Sequence, residues 1–313
     1  MAEQKVDLNK VRTISLRSRK SKVASSDFAK PAKKKYGSFS DFYRALPDML
    51  AARSLKSVVK AIVTARKKKR SVIFMMGAHV IKVGLSPIII DLMKRRVITA
   101  VALNGAGVIH DTEIAMVGQT SEDVGESIKD GSFGMVEETA HFINGAINAG
   151  LKKGQGIGTA VGEKIERTKL PYRRLSILRS GYALDIPVTS HVAIGTDIIH
   201  QHPTCNGEAI GEGSLLDFRN FIYSVSRLEG GVAINFGSAV ILPEVFLKAV
   251  TVARNLGNIV QRFTTANFDM ISHYRPYQNV LSRPTSCGGS GYNIIGHHEI
   301  MIPLLYSAVV EQL

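Results

Sequence analysis

The chain has no tryptophan and only two cysteines, Cys205 and Cys287, in 313 residues. Two thiols cannot staple a chain of this length, which excludes a disulfide-built scaffold and fits a reducing compartment. Long apolar runs are missing as well. The longest uncharged ones, VITAVAL (97–103) and IMIPLLYSAVV (300–310), fall short of the roughly 20 residues that cross a bilayer. No charged-then-apolar segment opens the sequence, so the expectation is a cytoplasmic protein without a membrane partner. Acidic residues are scarce in one region only. Residues 1–70 hold 20 Lys and Arg against 5 Asp and Glu, whereas the remaining 243 hold 20 against 21. The net charge of +14 therefore belongs to the first quarter of the chain. A basic arm on a neutral body suits an acidic partner such as nucleic acid, or simply a solvated tail.

Residues 1–36 are rich in Lys, Arg, Ser and Ala and poor in apolar positions, and read as a disordered arm before one domain over 37–313. The segment 38–50 has apolar residues at helical spacing behind Ser38 or Ser40 as caps. A second amphipathic helix follows over 55–70 and ends in Arg66 to Arg70, cations that complement a helix carboxyl pole or hold an anion. From Ser71 onward, short apolar runs ending in small residues alternate with helical stretches. The runs are SVIFMMG, VITAVALNGAG, DIPVTSHVAIG, GVAINFGSAV and NIVQRFTTAN. Between them, HVIKVGLSPIIIDLMKR and the segments around 135–153, 214–230 and 242–256 read as helix. This alternation predicts an α/β fold, a doubly wound, mainly parallel Rossmann-like sheet with helices on both faces. Ligands of such sheets bind where the strands end.

Those strand ends share one punctuation: Gly77-Ala78-His79, Asn104-Gly105-Ala106-Gly107, Gly195-Thr196-Asp197, Gly237-Ser238-Ala239 and Thr264-Thr265-Ala266-Asn267. Small residues let a phosphate approach the backbone and a following helix N-terminus, which points to a nucleotide cofactor. GQGIGTAVGEK (154–164) has closely spaced glycines but no strand before it, so it reads as a close-packed or flexible connection. Cys287-Gly288-Gly289-Ser290-Gly291 reads as a loop. His200-Gln201-His202 has metal-like spacing, yet no HExxH or cysteine pair accompanies it, and no metal is expected. His79, His110 and His200 suit acid–base work in a crevice, or purely structural hydrogen bonding.

In order, these pieces resemble the deoxyhypusine synthase family. SVIFMMGAHVIKVGLSPIIIDLMKRR and VITAVALNGAGVIHDTEIA resemble its first NAD-binding strands, where a strand ends Thr-Ala-Gly-Gly-x-Glu-Glu-Asp. DIPVTSHVAIGTD, GGVAINFGSAVILPE, FTTANFD, RPYQNVLSRP and IMIPLLYSAVV follow in the family's order, covering roughly residues 45–313. The resemblance implies NAD at the strand ends and a homotetramer with active sites between subunits. It also implies oxidation of spermidine, with transfer of an aminobutyl group to a lysine. Carried over, the cofactor contacts are Asn104, Gly105, Ala106, Gly107, Asp111, Gly237, Ser238, Thr265 and Ala266. The family's nucleophilic lysine falls at Leu281-Ser282-Arg283-Pro284, where no lysine stands. An arginine stays protonated and cannot act as a covalent amine. Family histidines become Pro243 and Glu244, and polyamine-holding carboxylates fall at Ile109 or His110 and at Gln278. The expectation is thus an NAD-binding enzyme, nominally a transferase acting on a polyamine or other amine but altered in reaction, with His79, His110, Asp197 and His200 catalytic. Lys82 and Glu113 are further polar candidates. The alternative is a non-catalytic oligomer whose basic arms contact nucleic acid.

Overall fold

Apolar runs of four to six residues line up side by side at the centre of the molecule. The structure, a computed structural model, describes residues 6–32 and 35–313. Strands β1 (Val72–Met76), β2 (Ala100–Asn104), β3 (Val188–His191), β4 (Val232–Phe236), β5 (Thr264–Asp269) and β6 (Ser290–Ile295) form one sheet. The order is β3-β2-β1-β4-β5-β6, and every pair is parallel. This is the doubly wound arrangement expected from the alternation. Its strand order reverses between β1 and β4, leaving a crevice at their carboxyl ends.

Helix α1 (Phe39–Ala45) is entered through Ser38, whose hydroxyl accepts from Asp41 N–H while the Asp41 carboxylate accepts from Ser38 N–H. Helix α2 (Leu50–Lys67) then buries Leu55, Val58, Val59, Ile62 and Val63 against the sheet. Helices α3 (His79–Lys82), α4 (Ser86–Lys94), α5 (Gly105–Val117), the single turn α6 (Val124–Ser127), α7 (Glu137–Leu151), α8 (Ile157–Thr168) and α9 (Ile177–Leu184) follow. Helices α10 (Gly207–Ser226), α11 (Ile241–Asn255), α12 (Tyr274–Pro276) and α13 (His298–Val310) complete the set. Strand alternation splits the core in two. Phe74, Met76 and Phe236 pack with α2, α5 and α13, while Ile73 and Met75 pack with Phe221 of α10 and Phe246 of α11. Among the described residues no helix is long and apolar enough to cross a membrane.

Four expectations are corrected. The stretch from His79 to Lys94 is two helices, because Gly84 turns to φ +78° and Pro87 opens a new one. The glycines at 288–291 lead into β6 instead of a free loop. A Cβ at Gly289 would lie 2.6 Å from Phe263 O, and one at Gly291 would overlap Leu281 O. The 154–164 motif is close-packed as expected, but α8 begins inside it. A Cβ at Gly156 would overlap the Asp217 carboxylate, and one at Gly158 would overlap Val188 O. Finally, Thr264 to Asn267 begin β5 where a strand end was expected. Thr265 pairs with Ala233 and Gly291 in mid-sheet, and Ala266 with Ile234. Thr265 and Ala266 therefore stand away from the carboxyl edge, where Asp269 lies.

The arm's residues 1–5, 33 and 34 lie outside the described residues. Further along, Asp48 N–H donates to Asp27 O (2.9 Å) and Lys30 N–H to Ala45 O (3.0 Å).

Candidate functional site

The carboxyl edge gathers polar groups at two neighbouring places. At the β1/β4 reversal the backbones close tightly. Gly77 N–H donates to Phe236 O (2.9 Å) and Gly237 N–H to Phe268 O (3.0 Å). Gly237 holds φ +64°, and a Cβ there would overlap the His298 ring, so only glycine fits. His298, the first residue of α13, is buried. Its Nε2–H donates to Phe268 O (3.0 Å), which leaves Nδ1 as a buried acceptor without a protein partner. The exposed His79 ring lies 5.8 Å from it. Nothing in the sequence spacing singles His298 out from its neighbour His297. Ser238 caps α11, its hydroxyl accepting from Leu242 N–H (3.2 Å).

Behind this point Asn235, Asn267 and Asn293 stand in register on β4, β5 and β6. Asn235 Nδ2 donates to Asn267 Oδ1 (2.7 Å), and Asn267 Nδ2 to Asn293 Oδ1 (3.0 Å). An amide ladder of this kind ties the three strands together, although its innermost oxygen, Asn235 Oδ1, is buried without a partner.

The second place lies at the start of α5. Asn104 caps that helix, its Oδ1 accepting from Gly107 N–H (3.0 Å). The carboxylate of Asp197 rests on Gly105, where any side chain would overlap it. Asp197 Oδ2 and His200 Nε2 are both buried, 4.0 Å apart, and neither has a hydrogen-bond partner. His200 Nδ1 accepts from Gly195 N–H (3.1 Å) and Asp197 N–H (3.2 Å), so Nε2 carries the proton and points it at the orphaned carboxylate oxygen. Burial pushes the Asp197 carboxyl above its ordinary range, against the pull of His200.

A cavity of about 280 Å³ opens beside these groups. Its charged and imidazole lining is Lys82, His110, Glu113, Glu122 and Asp197, with Ser121 and Thr196 beside them, and its apolar wall includes Ile109, Phe133 and Ile198. His110 Nδ1–H donates to Thr120 Oγ (2.6 Å), and the Thr120 hydroxyl donates to Glu113. That relay fixes the tautomer with a bare Nε2 lone pair. Burial, with Lys82 adding to it, pushes the His110 pKa down to about 4, so the ring is neutral near pH 7. Glu122 Oε2 accepts from Gly134 N–H (3.0 Å).

Two sequence candidates face elsewhere. Asp111 is buried and spends its carboxylate on Ser176 Oγ (2.5 Å), Ile177 N–H (2.7 Å) and Leu178 N–H (3.1 Å), bridging α5 to the start of α9. Burial raises its pKa to about 6 against those bonds. The resemblance, by matching it to the Asp of the family's Glu-Glu-Asp, implied a cofactor contact, but helical periodicity turns it about a quarter-turn away from His110. The His-x-His pair also diverges, since His202 Nε2–H donates to Gly134 O (3.0 Å). Arg283, at the family lysine's position, donates to Asn279 Oδ1 (2.7 Å).

No family model matches this chain, and no curated protein matches it by sequence. Solved structures match it in fold. A conserved LOR/SDH protein from Methanococcus maripaludis S2 has a TM-score of 0.53 at 15% identity, over 84% of this chain and 71% of that one. AgrE, in a ternary complex with ornithine and NAD+, has a TM-score of 0.52 at 13% identity, over 83% of this chain and 33% of AgrE. The present chain thus spans about a third of AgrE. A chain assigned as a deoxyhypusine synthase from Entamoeba histolytica has a TM-score of 0.50 at 11% identity, over 88% and 93%. At these identities the likeness shows the fold: a Rossmann-like α/β fold shared with a protein crystallised with NAD+.

Proposed function

We propose that this chain is an NAD-dependent enzyme that oxidises a small aliphatic amine in the cavity beside α5. The observation that carries the reading is the cavity's charge. Three carboxylates, Glu113, Glu122 and Asp197, face one lysine, and the Asp197 Oδ2 atom is buried without a partner. Such a slot favours an ammonium group, and apolar walls favour a short carbon chain. NAD fits the crevice because its strand order reverses at β1/β4 and because His298 Nδ1 is a buried acceptor without a partner there. The fold shared with part of AgrE, a protein solved in a ternary complex with ornithine and NAD+, supports NAD as the cofactor class.

Bound NAD+ would accept a hydride from the carbon bearing the amine. The chain's own groups handle the rest. Glu122 and Asp197 hold the ammonium, and neutral His110 accepts one of its N–H bonds through Nε2 without adding charge. Asp197, its pKa raised by burial, takes the ammonium proton, leaving a neutral amine whose carbon could give up a hydride to NAD+, were it bound, and depart as an iminium cation. This differs from aminobutyl transfer, for which no lysine stands at 281–284.

Calorimetry with NAD+ tests the cofactor site, followed by spermidine, 1,4-diaminobutane and ornithine on the NAD-saturated protein. A micromolar Kd for NAD+, about −7 to −8 kcal/mol, is expected, together with heat from at least one amine. His110→Ala is expected to weaken the amine and leave NAD+ unchanged. No NAD+ binding up to millimolar refutes the reading.

A further inference from the structure

The opposite end of the sheet carries the opposite charge. We propose that the amino edge of the strands, on the folded body and apart from the arm, is a binding surface for the phosphate backbone of duplex nucleic acid. This does not depend on the amine reading, since five residues of β1, about 16 Å, separate the two edges.

The surface is assembled from segments that enter β1, β2, β4 and β5. Lys67, Lys68, Lys69 and Arg70 close α2, and Lys94, Arg95 and Arg96 close α4; all are exposed except for their stems. Arg66 Nε–H donates to Arg95 O (3.1 Å), which sets the two runs side by side. Between them Arg66, Lys67 and Arg95, with Leu313, enclose a hollow of about 320 Å³, room for a phosphate group. On the other flank Arg70 lies along Gly230, where its Cγ and Nε would be 3.8 Å from an added Cβ. Gly230 N–H in turn donates to Arg262 O (2.7 Å), continuing the strip to Arg227 and Arg262. Of the acids here, Asp91 is taken by Arg95 and Glu229 by Arg262. Lys67, Lys68, Lys69, Arg70, Lys94 and Arg96 have no carboxylate partner among the described residues.

A helix dipole accounts for cations in a last turn, but not for those beyond it. Lys69 and Arg96 sit past their helices at φ +53° and +56°, a left-handed conformation that glycine adopts without penalty. The chain keeps a charge at both places. One exposed ring, Tyr223, lies under Arg227 at the far end of the strip (5.8 Å), while the runs that close α2 and α4 present only Lys and Arg, which suits a phosphate backbone better than a row of stacked bases.

Fluorescence anisotropy of a labelled 20-base-pair DNA duplex, with the full chain between 50 and 200 mM NaCl, tests this. For four to six neutralised phosphates, the slope of log K against log salt is expected at about −4 to −5. The double variant K69G/R96G is expected to lower that slope by about 2 and to weaken unrelated duplexes alike. Its melting temperature should hold or rise, because glycine suits both positions, and its NAD+ heat should be unchanged. No binding at 0.1 M NaCl overturns the proposal. So does an unchanged slope in K69G/R96G with loss on neutralising Lys10, Lys20 and Lys22, which would assign binding to the arm. Binding to phosphatidylserine vesicles but not to the duplex overturns it in favour of a membrane.

Discussion

Asp217 offers a test of whether the glycine-rich 154–164 segment is a packing device. Its side chain, on α10, is fully buried. One oxygen, Oδ2, accepts from Gly158 N–H (2.9 Å) and Ser190 N–H (2.8 Å), joining the start of α8 to β3, while Oδ1 has no partner. Burial pushes this carboxyl up to about 7, against the hydrogen bonds that favour its charge. A folded-state pKa above the unfolded 3.8 means that the native protein holds the proton more tightly. The stability it contributes is full below pH 3.8 and is lost as pH rises through 7. Three pKa units correspond to at most about 4 kcal/mol. Asp217→Asn copies the protonated shape, with the amide oxygen in place of Oδ2 and the NH2 in place of the orphan Oδ1. Urea denaturation of this variant should match wild type at pH 4 and exceed it at pH 8. Asp217→Ala should instead lose about 3–5 kcal/mol at pH 4, because two buried N–H groups lose their acceptor and a cavity opens, and less at pH 8, where the buried carboxylate already weakens wild type. The reasoning is refuted if wild-type stability is flat from pH 4 to 8 and Asn is as damaging as Ala. That result would mean an ionised carboxylate held entirely by the two backbone donors.

Asp197→Asn should separate stability from function. Relieving a buried carboxylate with an orphaned oxygen is expected to add about 1 kcal/mol by thermal melting, while amine turnover falls about 10²–10⁴-fold in a steady-state assay of NADH formation. Asn267→Ala breaks the ladder at its middle rung and leaves one buried N–H of Asn235 unpaired, the other still donating to Ser238 O (3.0 Å). A loss of about 2–4 kcal/mol in urea denaturation is expected, and a loss below 0.5 kcal/mol would mean that water replaces the rung.

The α/β class and the carboxyl-edge location of the crevice were legible in the residues because both follow from local chemistry. VIFMM is apolar at every position and VAINF at every position but Asn235, and a strand buried on both faces needs such a run. Small residues at 77–78, 105–107 and 237–238 mark turns whose conformation is set by the residues themselves. Strand β6 escaped notice because SGYNII has little apolar content, being a half-exposed edge strand whose glycines answer to the neighbouring Phe263 and Leu281 carbonyls. Thr265 was misplaced for a related reason: composition marks a strand but does not say which end faces the crevice. Helical phase alone separates His110, which lines the cavity, from Asp111, which holds α9. Only the folded chain sets Asp197 against Gly105 and His298 against Gly237, since both meetings cross between elements distant in sequence. Local patterning thus determined the elements and the edge at which a ligand would dock. The choice of polar groups left unpaired there, and the spread of positive charge along the opposite edge, depended on which segments the sheet's strand order made neighbours.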